Sequence, residues 1–101
     1  MRLFDLHCDT LYEMYKQDQN FEHNSLNISL EKAKCFSEYK QILAVWSENT
    51  LCEEDCFKQF LSIYGMYKER IPKDFCHILA VEGGKALGGR IDNLRLMYDM
   101  G

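Results

Sequence analysis

The sequence is poor in the features that divide a chain or tether it. It has one proline, no low-complexity segment and no internal repeat, so no linker splits its 101 residues into domains. No apolar run approaches the ~20 residues of a membrane span. An excess of basic residues, which nucleic acid or an anionic membrane would favour, is also missing. Lys and Arg number 12 against 16 Asp and Glu, a formal net charge of −4. The start, Met-Arg-Leu-Phe-Asp, reaches an acidic residue at once and has no apolar stretch like that of a secretory signal, so a cytoplasmic location is expected. The five cysteines (Cys8, Cys35, Cys52, Cys56 and Cys76) are an odd number, which argues against a disulfide framework. Cys52 and Cys56 stand at i, i+4, yet no second Cys/His pair accompanies them, so both are expected to be buried thiols.

What remains is a 47% hydrophobic, 28% charged chain, a balance that favours one folded domain over disorder. Residues 2–8 alternate and predict a first strand with Leu3, Asp5, His7 and Asp9 on one face. A short helix over Leu11–Lys16, a polar loop and a second short helix capped by Ser29 follow. "QILAVWS", 41–47, predicts a strand buried on both faces. Thr50 and Glu53 match a Thr-x-x-Glu capping box, and Cys56, Phe57, Phe60, Ile63, Tyr64 and Tyr67 then recur at helical spacing until Pro72. "CHILAVE", 76–82, predicts a third strand, "GGKALGG" a turn, and Ile91, Leu94 and Met97 or Tyr98 a last helix with Gly101 as its cap. Strand–helix alternation of this kind predicts a parallel α/β fold.

Residues two apart on a strand face the same way, so His7 and Asp9 can reach one ion together. Imidazole nitrogen and carboxylate oxygen suit zinc or a related divalent cation. Asp5, one step deeper, is a candidate hydrogen-bond partner behind them. Glu82 ends the third strand, and parallel strands end on one rim. His7, Asp9 and Glu82 would then converge. Asp9 before Thr10 equally fits a helix cap, and Glu82 before glycines a turn residue. His23, in a loop, and His77, on the opposite strand parity from Glu82, are expected to have surface or packing roles. "EGGKALGGR" lacks the order of a phosphate loop.

"FDLHCDT", "ILAVEGG" and "LGGRIDNLRLMYDMG" together resemble the membrane dipeptidase family of zinc metallopeptidases, and "QILAVWSE" is similar to the family's second strand. The resemblance covers essentially the whole chain. It implies that residues 1–101 are the first three βα units of a single (β/α)8 metallohydrolase barrel, incomplete within this chain. It implies two zinc ions in the full site, with His7 and Asp9 binding one ion and Glu82 bridging both. It also implies hydrolysis of a dipeptide substrate by zinc-bound hydroxide. The family's other metal-ligating histidines and substrate-binding residues lie on later strands, so this chain is expected to be inactive alone. A homo-oligomer is compatible with the resemblance. The alternatives are an amidohydrolase or phosphoesterase of the same barrel type, disfavoured because Asp9 replaces the second histidine of His-x-His, and a non-catalytic fragment.

Overall fold

Apolar residues of the middle strand organise the chain. A computed structural model describes all residues, Met1–Gly101. In order, the elements are β1 (Arg2–Cys8), α1 (Thr10–Gln17), α2 (Leu30–Ala33), β2 (Glu38–Trp46), α3 (Glu53–Arg70), β3 (His77–Glu82), a 3-10 turn (Gly84–Leu87) and α4 (Ile91–Asp99). The three strands form one parallel sheet in the order β1-β2-β3. Leu43 and Val45 of β2 point to one face and are fully buried there by Leu11 and Met14 of α1 and by Phe60 and Ile63 of α3. Burying side chains of this size is worth roughly 1.5–3 kcal/mol each, enough to fix which face the helices cover. The other face is bare: Phe4, Leu6 and Ile78 are 48%, 65% and 49% exposed.

The α/β class holds, but the reading of residues 1–101 as the first three βα units of a (β/α)8 barrel does not. The sheet has three strands and is open, with β1 and β3 both at edges. Parallel pairing and helical crossovers are shared by barrels and open sheets, so the alternation could not separate them. Closure needs every strand paired on both sides.

Three local expectations also change. β2 begins at Glu38, because Glu38, Tyr39 and Lys40 pair with Arg2, Leu3 and Phe4. The Thr50 capping box does not form: Cys52 is the N-cap of α3 and has no capping side-chain bond. The Glu53 carboxylate instead lies against Gly89, whose φ of +68° and lack of a side chain allow that approach. Cys56 is buried as expected, whereas Cys52 is exposed. Gly101 does take the left-handed position after α4, with φ +93°, and its N–H donates to Tyr98 O at 3.1 Å.

At the end of β2, Glu48 ties the sheet to two helices. Its Oε1 accepts from the Tyr12 hydroxyl at 2.8 Å, from Lys16 Nζ at 3.0 Å and from Gln59 Nε2 at 3.5 Å. The Lys16 ammonium, then the Tyr12 hydroxyl, hold its carboxyl below the ordinary range. A depressed folded-state pKa means stability that is present above the unfolded value and disappears as pH falls through the folded one. Glu48→Gln is therefore expected to be less stable than the parent at pH 7. Urea unfolding should show the two converging as pH falls below the usual carboxylate range. A gap independent of pH would contradict this role for the charge.

Candidate metal centre

A register shift in β1 decides where its polar side chains go. Asp5 stands opposite Gln41 and Cys8 opposite Leu43, so three steps on β1 match two on β2. One extra residue is accommodated as a bulge. Paired residues share a face, which puts Asp5 and Cys8 on the helix-covered side with Gln41 and Leu43. His7, next to Cys8, is turned to the bare side. Asp5, His7 and Asp9 therefore do not share one face, as unbroken alternation predicts.

His7 now meets two carboxylates. Its Nε2 lies 3.4 Å from Asp9 Oδ1 and 3.3 Å from Glu82 Oε2. One ligand atom from each of the three residues lies within 4.8 Å of the others. Their side chains are about half exposed, at 52%, 53% and 46%. β1 and β3 flank β2, so their axes are about 10 Å apart and the side chains must reach over the middle strand. Alternation puts Ile42, Ala44 and Trp46 on that face of β2, and the methyl of Ala44 leaves room for the reach. Glu82 is paired with Trp46.

Asp9 holds the N-cap position of α1 but makes no side-chain capping bond there. Only its carbonyl serves the helix, accepting from Glu13 N at 3.1 Å. Its carboxylate faces His7 instead. Asp5 accepts the backbone N–H of His7 at 3.2 Å through Oδ1, so it contacts the main chain of that residue and not the imidazole expected from the sequence. A cavity of about 630 Å³ beside the cluster is lined by Asp5, His7, Asp9, Glu13, Gln17 and Asn27 among others, with no lysine or arginine. Carboxylates without a basic partner favour a cation nearby.

The other histidines have the roles expected of them. His77 Nδ1 bonds to Phe75 O at 2.6 Å and Nε2 to the Tyr67 hydroxyl at 2.8 Å, with its ring stacked on Phe75. His23 is on the surface, paired with Glu31. Periodicity missed two polar residues: Glu48 at the end of β2, and Gln41, which is fully buried at the start of the apolar run. A glutamine heading "QILAVW" was the one available signal for the second. Ser47 Oγ is buried at the same strand end without a hydrogen-bond partner. Burial raises the Cys8 thiol above its ordinary pKa.

No protein-family model and no curated protein matches the chain. The likeness to membrane dipeptidases rests on the motifs alone.

An Asp that caps a helix typically contributes about 0.5–2 kcal/mol. With no capping bond, Asp9→Ala should change stability in metal-free buffer by less than ~0.5 kcal/mol, near the limit for ordinary surface substitutions. A loss above ~1 kcal/mol would restore the cap as its main role.

Proposed function

We propose that His7, Asp9 and Glu82 hold a divalent cation, with zinc the best match, and that this site serves hydrolysis of the peptide bond in a dipeptide. The observation that carries the cation is the convergence of one imidazole nitrogen and two carboxylates within 4.8 Å from opposite edges of the sheet. That donor set fits zinc chemically: borderline nitrogen and oxygen ligands, with two negative charges to balance the ion. The peptide substrate comes from the motif resemblance.

A bound cation there supplies Lewis acidity, activating water and polarising a carbonyl oxygen. The chain's own groups do the rest. His7 presents Nε2 from the bulge, Asp9 brings a carboxylate freed from capping, and Glu82 reaches in from β3. Glu82 turns Oε2 toward His7. The acidic cavity beside the cluster favours the free amino group of a dipeptide over its carboxylate. Half-exposed ligands let water compete, so binding is weak compared with a closed site.

Three donors can serve one ion, whereas a two-ion site needs more. The chain alone is therefore expected to bind metal without detectable dipeptide turnover. A purely cation-binding role is the second reading, favoured by the same count of donors.

Calorimetric titration with zinc should show saturable binding near one equivalent, accompanied by a change in fluorescence of Trp46, the residue paired with Glu82. His7→Ala and Glu82→Gln should each weaken binding roughly tenfold or more, equivalent to at least ~1.4 kcal/mol. Equal affinity in parent and variants would contradict the ligand assignment. Zinc-dependent cleavage of Ala-Ala by the chain alone would contradict the expected inactivity, and preferential cleavage of a phosphoester would contradict the peptide substrate.

A further inference from the structure

The bulge that turns His7 toward Glu82 has its own set of polar partners. Gln41 is 0% exposed, at the head of an apolar run. Its Nε2 donates to Ile42 O at 3.0 Å and to Asp5 O at 3.4 Å. Those carbonyls stand beside the register shift, one on each strand. The Tyr39 hydroxyl donates to Gln41 Oε1, which fixes the amide with its nitrogen toward the carbonyls. Asp5 Oδ1 accepts the His7 N–H at 3.2 Å. A bulge disrupts the ladder and leaves main-chain groups in need of partners. Here side chains supply them.

We infer that Gln41 is a positioning residue for the candidate metal centre: its buried carboxamide, oriented by Tyr39, holds the β1 bulge that places His7 opposite Glu82. Its consequence for metal rests on the cation reading above, whereas its consequence for register does not. An apolar side chain at 41 would leave the two carbonyls without the amide donor in a part-buried setting, an unfavourable state. A regular ladder without the extra residue is the available relief, and a one-residue shift turns a side chain to the opposite face. His7 would then leave Glu82. Burial, with Asp5 and Cys8 nearby, pushes the Tyr39 hydroxyl up to about 12, so it stays protonated and remains a donor at neutral pH.

The test compares the full chain with Gln41→Met, which keeps side-chain length and removes the amide. Cross-strand NMR contacts report the register without metal, and calorimetry with zinc reports the site. The expected result is loss of the Cys8–Leu43 pairing with a fall in zinc affinity of roughly 10–100-fold, the range for residues that orient metal ligands. If Gln41→Met does not fold, Tyr39→Phe provides the same test: the register should again loosen around Asp5–Cys8 and zinc affinity should fall. An unchanged register in the folded variant overturns the inference, even if its melting temperature drops, because a merely stabilising glutamine would do that. Should the parent bind no zinc, the register alone decides. Loss of the bulge then supports the role of Gln41 while the cation reading fails.

Discussion

One extra residue between Asp5 and Cys8 is the constraint on which the site depends. Beyond the bulge, Cys8 is paired with Leu43 and sits on the buried face. That face is fixed by the packing of Leu43 and Val45 against α1 and α3, so Cys8 stays on it as long as the bulge is held. His7 must then take the bare face. Without the bulge its imidazole would occupy the place of a buried thiol among apolar neighbours, and a polar ring buried without partners is unfavourable. The hydrophobic core and the candidate site are thus set by the same register.

The parallel sheet provides the rest of the convergence. β1 and β3 are not paired with each other in the sheet, yet both end on the same rim. The middle strand contributes small bulk at Ala44 and an indole at Trp46, leaving the edges to supply the donors. α1 starts directly after Asp9 and takes only that residue's carbonyl, which leaves its carboxylate available. Glu48, at the end of β2, is already engaged by Tyr12 and Lys16. It braces α1 and so steadies the segment that carries Asp9. Of the carboxylates at the three strand ends, two face the histidine and one holds the scaffold.

Much of this was legible in the residues. Alternation and apolar runs located all three strands, and the Cys56–Tyr67 spacing located α3. The cluster of His7, Asp9 and Glu82 followed from strand-end logic. The failures share a cause: tertiary pairing overrode a local pattern. Period-2 counting cannot register a bulge, so it put Asp5 beside His7. The Thr50 box was sound in sequence, but the chain enters α3 at Cys52 and Glu53 is drawn to the Gly89 turn. Strand–helix grammar indicated parallel pairing and carried no information on closure, so the barrel was an extrapolation. Gln41 was passed over because a strand buried on both faces was read through its apolar members.

The central claim, that His7, Asp9 and Glu82 grip one divalent cation, is tested most directly by substoichiometric Mn²⁺ added to the isotope-labelled chain. Paramagnetic broadening should concentrate on the signals of residues 7, 9 and 82 and decline with distance across the sheet, and added zinc should reverse it. Broadening spread over the exposed carboxylates of α3, with the three strand-end residues untouched, would contradict the claim.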